Sequence, residues 1–443
     1  MYTSIDELHQ AVTGVLCLDG NRPRITDEQR LRNTIIDPLV FTAVFATDAN
    51  VKTRARSVIR QLAAALGIRS LSLRPYYLAI GAGAVPATST VPAINLRTLT
   101  YDIARVLFKL TQEQHIGSLI VELARSEMGY TDQRYDEFAV AVLAAAIKEG
   151  YRGPVFLQAD HVQVNAHHYQ EDPAAEIQDM KRLIKEALDA GFRQIDIDAS
   201  TLVDLSKTAL DEQQAENYRV TAALTQYIRS LETQGSISVG GEIGHIGGKN
   251  STPEELVAFL DGYDKALGKS TPSLSKISVQ TGTSHGGMLL PDGSIATAQL
   301  DFSVLENTGR IAREKYHFGG VVQHGASTLP MDVFDRFPMH HTLEIHLATG
   351  FQNTIYDQVP APLRERMYQW VGDHCQGEWQ DGWTREQFMY KTRKKAFGPF
   401  KRELWELSEQ EKQPIWEQLE QQFRLLFKKL NVFSTQAAIE MYT

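Results

Sequence analysis

The sequence predicts an α/β chain built on one (β/α)8 TIM barrel, with a helical N-terminal extension and a helical C-terminal tail. Three observations carry that prediction. Eight short apolar runs recur between residues 91 and 348, helix-like segments lie between them, and several of those segments end in glycine. Short strands that are apolar on both faces are the form of a buried parallel sheet. Eight of them alternating with helices are the sequence form of a closed barrel.

The runs are VPAINL (91–96), SLIVELA (118–124), PVFLQA (154–159), QIDIDA (194–199), SISVGGE (236–242), KISVQTG (276–282), GGVVQHG (319–325) and LEIHLA (343–348). The segments 136–150, 174–191 and 253–268 have helical spacing of apolar residues and close on a glycine, a helix stop signal. Residues 1–90 read as a helical extension: RSVIRQLAAALG is an amphipathic helix, and the Gly/Ala/Pro/Thr-rich stretch 79–92 reads as a junction. The barrel is expected over 91–357. Residues 358–443 form the tail, where Trp405, Leu407, Trp416, Leu419, Phe423, Leu426 and Phe427 make a helical stripe suited to packing on the barrel or on a neighbouring subunit.

Composition narrows the function classes. Apolar residues at 43% and charged residues at 22% are ordinary for a soluble globular protein. A net charge of −9 with no long Lys/Arg run argues against a nucleic-acid binder, but local cations and backbone amides can still hold an anionic substrate. The only cysteines, Cys17 and Cys375, cannot build a disulfide framework, which fits a reducing cytoplasm. The N-terminus lacks the pattern of a signal peptide, and no apolar run approaches the roughly 20 residues that span a bilayer. A cytoplasmic protein without a membrane partner is expected.

Chemistry in a barrel sits at the C-terminal ends of the strands. Asp160 and His161 follow the third run, Asp198 closes the fourth, Glu242 closes the fifth, His285 lies just past the sixth and His324 ends the seventh. Three imidazoles brought from separate strands can form one face of a divalent metal site and leave positions for substrate. Neighbours at a strand end point in roughly opposite directions, so His161 can bind metal while Asp160 reaches the substrate for proton transfer. Asp198 and Glu242 can hold a second cation or orient the imidazoles. Gly286, Gly325, Ser327 and Thr349 lie in short loops whose exposed backbone amides can cradle a phosphate.

QADH (158–161), IDAS (197–200), GEIGHIGG (241–248), GTSHGG (282–287) and QHGAS (323–327) resemble, in order and spacing, the strand-end motifs of the class II, metal-dependent fructose-bisphosphate and tagatose-bisphosphate aldolases. The resemblance covers roughly 91–357. It implies a zinc-dependent C–C lyase, typically oligomeric, that cleaves a phosphorylated ketose to dihydroxyacetone phosphate and an aldehyde through an enediolate. His161, His285 and His324 would hold Zn2+ or another divalent metal, and Asp160 would exchange the proton of the substrate hydroxyl. Gly286, Gly325, Ser327 and Thr349 would line the phosphate site, and Asn95 matches an Asn on the family's first strand.

The chain also departs from that pattern. The family commonly has a phosphate-binding Lys four residues after the second zinc histidine, where this chain has Leu289. Its eighth-strand motif resembles NIDTD; here it reads HLATG, with His346 and Ala348 in place of an Asn and an Asp. After the glycine pair of the flexible loop come Lys249 and Asn250, with Glu254 and Glu255 further on, so the resemblance does not assign the second base. A non-catalytic aldolase-like partner subunit and a metal-dependent sugar-phosphate epimerase or isomerase are the two competing readings.

Overall fold

The computed structural model describes residues 1–19, 22–232, 235–244, 249–282 and 300–442. Eight parallel strands form the barrel: β1 (Val91–Asn95), β2 (Ile120–Ala124), β3 (Pro154–Gln163), β4 (Gln194–Asp198), β5 (Ser238–Glu242), β6 (Lys276–Val279), β7 (Val321–Gln323) and β8 (Glu344–Leu347). Each pairs with its neighbours in sequence, and β8 pairs with β1 to close the ring. All eight fall on the runs read from sequence. Tyr135–Glu149, Pro173–Ala190 and Pro253–Leu267 are helices within a residue of the segments expected. Each ends against a glycine, Gly150, Gly191 or Gly268, at positive φ.

The strands do not have two apolar faces. The outward face is apolar, with Ile94, Val121, Leu157, Ile195, Val239 and Ile277 buried under the helices. Part of the inward face carries charge. Lys276 on β6 reaches across the interior to Gln158 Oε1 (2.6 Å), Asp196 Oδ2 (2.9 Å) and Glu344. Gly240 makes room for this cluster, because a Cβ there would collide with Asp196 and approach the Lys276 side chain. The alternation was present in QIDIDA and LEIHLA, where acids and apolar residues take turns with period two.

The two ends of the barrel are closed differently. The helix Arg74–Gly81 plugs the N-terminal end, where Leu73, Tyr76, Tyr77 and Ile80 pack on Val91, Ala93, Ile120, Phe156 and Leu343. The tail wraps toward the opposite rim. Its long helix Glu409–Lys429 buries Leu419, Phe423, Leu426 and Phe427, and Phe423 packs 4.7 Å from Phe351 of the helix that follows β8. The stripe read in the sequence thus faces the chain's own barrel. Among the described residues no helix is long and apolar enough to cross a membrane.

Candidate metal and catalytic site

Asp160 and His161 lie within β3, which runs on through them to Gln163. Pairing with β4 slips here: Ala159 faces Ile195 and Val162 faces Ile197, so two residues on β3 oppose one on β4. This is a β-bulge, a device that re-aims side chains next to active sites. His161 adopts φ of 38°, uncommon for a residue other than glycine. The bulge corrects the expectation that the pair would point apart. Both side chains line the same pocket at the C-terminal rim, with His161 Nε2 4.0 Å from Asp160 Oδ1.

Asp160 is buried and held from two sides. Asn95 Nδ2 donates to its Oδ2 (3.0 Å), and His346 Nδ1 lies 3.0 Å from its Oδ1. Burial alone would raise the carboxyl pKa, but the facing His161, His346 and His324 outweigh it and hold Asp160 well below the usual carboxylate range. His346 went unassigned in the sequence reading. It sits at the junction between the pocket and the interior charge cluster, with Nε2 2.7 Å from Glu344 Oε1 and its ring 4.2 Å from that of His324. Its alternation with Glu344 along β8 was the signal that it faces inward.

His161 and His324 converge, with ring centroids 4.3 Å apart. Asp198 Oδ2 lies 3.1 Å and Glu242 Oε2 3.3 Å from His161 Nδ1, while Ser200 and Gln163 donate to the Asp198 carboxylate. Burial, then repulsion from Asp198, pushes Glu242 up to about 7. One donor atom from each of His161, Glu242 and His324 can be chosen so that all lie within 4.8 Å of one another, and so can one from each of Asp160, His324 and His346. Imidazoles with a carboxylate are a donor set that zinc and similar ions take, so these residues fit a divalent metal. His285 and Gly286 lie outside the described residues, as do Leu289 and the 245–248 part of the loop after β5. Glu255 caps its own helix through Thr252 and pairs with Lys249 (2.6 Å), which occupies its carboxylate.

Gly325, Ser327 and Thr349 line the same pocket, as does Asn95. Gly350 lets the loop after β7 approach the helix after β8, since a Cβ there would collide with the Ser327 carbonyl. The pocket wall also holds cations that the sequence reading missed. Arg97, two residues past β1, donates to Glu127 Oε1 (2.6 Å), Gln352 Oε1 (2.9 Å) and Thr349 Oγ1 (3.2 Å). Lys391 and Lys394 come from the tail. The basic run KTRKK (391–395) was visible, but nothing local placed it over the barrel mouth.

A closed eight-stranded barrel with imidazoles and carboxylates gathered at the C-terminal rim defines an α/β-barrel protein whose rim groups could hold a metal ion. Residues 81–413 match the family described as fructose-bisphosphate aldolase class-II, and the chain belongs to that family of lyases. A fructose-bisphosphate aldolase of Giardia intestinalis is 23% identical over 219 residues, 49% of this chain and 55% of that protein, so the match spans about half of the curated relative. Two solved structures share the fold. A fructose-bisphosphate aldolase of Campylobacter jejuni has a TM-score of 0.50 at 16% identity, over 83% of this chain and 97% of its own. A probable tagatose 6 phosphate kinase of Sinorhizobium meliloti has a TM-score of 0.53 at 13% identity, over 80% and 99%.

Proposed function

We propose that the protein is a zinc-dependent aldolase that cleaves or forms a ketose phosphate, most simply a ketose 1,6-bisphosphate giving dihydroxyacetone phosphate and an aldehyde. The observation that carries this reading is the convergence of Asp160, His161 and His324 from β3 and the end of β7 on one pocket. His161 and His324, with His285 from the loop after β6, would hold the metal. Asp198 and Glu242 orient the His161 ring through Nδ1, which favours their role behind the ligands over a second cation site. A divalent metal in this cluster supplies Lewis-acid stabilisation of the negative charge that develops on the substrate oxygens.

Asp160 removes the proton of the hydroxyl beside the scissile bond. As the aldehyde forms, the C–C bonding pair moves toward the ketone and leaves an enediolate, whose carbon then takes up a proton to give dihydroxyacetone phosphate. Asn95 and His346 fix the Asp160 carboxylate for that transfer. Ser327, Thr349 and the amide of Gly325 bind a substrate phosphate, and Gly286 is assigned to the same role from the resemblance of its GTSHGG motif alone.

A panel of ketose mono- and bisphosphates, followed by release of dihydroxyacetone phosphate, tests the reading. Activity is expected to vanish with a chelator and to return with added zinc. Pure protein with stoichiometric zinc that cleaves none of the panel, alone or with a second aldolase chain, would sink it. His285→Ala is expected to lose bound metal and turnover together, measured by metal analysis beside the same assay; full metal content in that variant would remove His285 from the ligand set.

A further inference from the structure

The buried lysines of this chain have carboxylate partners. Lys276 pairs with Asp196 (2.9 Å), Lys401 with Glu137 (2.5 Å) and Lys412 with Asp102 (3.2 Å). Lys394 differs. Its side chain is only partly exposed and lines the catalytic pocket, yet among the described residues its ammonium makes no hydrogen bond or ion pair; it stands 5.3 Å from the centroid of the Tyr130 ring. The acid whose charge reaches it, Glu127, is already taken by Arg97, by Asn95 and by the backbone N–H of Ala124. Burial, and then the facing charges of Arg97 and Lys391, push Lys394 down to about 8. Lys394 therefore faces the Arg97 and Lys391 cations across one wall of the pocket with its own ammonium unpaired among the described residues, an arrangement that a bound anion would relieve.

The position of these cations says which anion. Arg97 touches Thr349 at the start of the helix after β8, so the cationic wall adjoins Ser327 and Thr349. The tail holds its lysines in place. Arg393, between them in sequence, donates to Asn353 Oδ1 (2.5 Å) and to the Tyr368 hydroxyl (3.2 Å), and Gly398 N–H donates to the Tyr130 carbonyl (2.9 Å). A fixed, partly desolvated ammonium beside hydroxyls and a helix start suits a phosphate dianion. The position four residues after His285, where the resemblance to the aldolases implies a lysine, is Leu289 in this chain.

We propose that Lys394 and Lys391 of the C-terminal tail, together with Arg97, form the cationic half of the phosphate site, so that the tail completes the substrate pocket. This rests on the aldolase reading for the identity of the substrate, but the binding of phosphate itself does not. The test is calorimetric titration of the full-length protein with inorganic phosphate, for the native chain, Lys394→Met and Lys394→Arg, with acetate as a second ligand. The native chain is expected to bind phosphate in preference to acetate. Lys394→Met should weaken phosphate binding roughly ten- to a hundredfold, the scale of one lost charge-assisted hydrogen bond, and Lys394→Arg should restore most of it. In turnover assays Lys394→Met should raise KM by a similar factor and leave kcat nearly unchanged. Absence of phosphate binding to the native chain, or unchanged affinity and KM in Lys394→Met, overturns the proposal. Phosphate binding by the native chain that is lost in Lys394→Met, with no cleavage of any ketose phosphate by the native chain, would leave the anion site standing and remove the aldolase reading. Melting temperatures within a few degrees of native separate these outcomes from misfolding.

Discussion

Lys276→Met is expected to destabilise the protein by about 3–5 kcal/mol, the cost of removing one partner from a buried ion pair. The Lys276 side chain is 1% exposed and that of Glu344 is 0% exposed, so neither has water to fall back on. Methionine keeps the length of the stem and removes the charge. Asp196 and Glu344 would then sit in the barrel interior with Glu122 nearby and, among the described residues, His346 to balance them. The sign of the pH dependence follows from the native shifts. Burial would raise the Glu344 carboxyl, but Lys276 and His346 outweigh it and hold the group well below the ordinary range. Its stabilising contribution is therefore complete above the unfolded value of about 4.3 and is lost as pH falls toward the depressed folded value. In Lys276→Met the remaining carboxylates take up protons more readily, so the penalty should shrink as pH is lowered from 7 toward 5. Urea denaturation at several pH values measures both effects. Arg310→Ala, which opens an exposed i,i+4 pair with Glu314, serves as the comparison and should cost less than about 0.5 kcal/mol. A Lys276→Met penalty no larger than that of Arg310→Ala would show that the interior cluster contributes nothing to stability.

This interior cluster also shows where sequence reading stops. Strand number and order were legible because the runs are short and apolar and alternate with helical segments, several of which end in glycine. The rim positions of Asp160, His161 and His324 followed from the register of those strands. Which way an individual side chain points was less legible. The bulge at Asp160 and His161 depends on how β3 pairs with β4, a long-range fact that the local sequence QADHVQ does not state. The inward charges are a different case, since alternation in QIDIDA and LEIHLA displayed them. An expectation of strands apolar on both faces hid them. The cations from the tail were illegible for a third reason. Lys391 and Lys394 lie more than forty residues beyond the last strand, and only the packing of the tail on the helices after β2 and β8 brings them to the rim.

The same chain of contacts sets the terms for the largest catalytic prediction. Asp160→Asn is expected to lower kcat by roughly 10²- to 10⁴-fold, the usual contribution of a positioned acid–base group, and to leave the metal content unchanged. Asparagine keeps the shape but replaces one acceptor oxygen with a donor. His346 can respond by giving up its Nδ1 proton and accepting, whereas Asn95 donates from a fixed amide that is also bonded to Glu127 Oε2 (3.1 Å). The new NH2 group should therefore turn toward His346, with a stability loss on the order of 1 kcal/mol. Metal analysis separates two roles that the geometry allows. As a proton carrier, Asp160 can be replaced without loss of metal. As a ligand beside His324 and His346, whose donor atoms lie within 4.8 Å of an Asp160 oxygen and of each other, it cannot. Near-native turnover in Asp160→Asn would refute proton transfer. Turnover lost together with the metal would move Asp160 into the ligand set and leave the base to be sought elsewhere on the rim. Glu242, pushed up to about 7 by burial and by Asp198, is the next carboxylate to test.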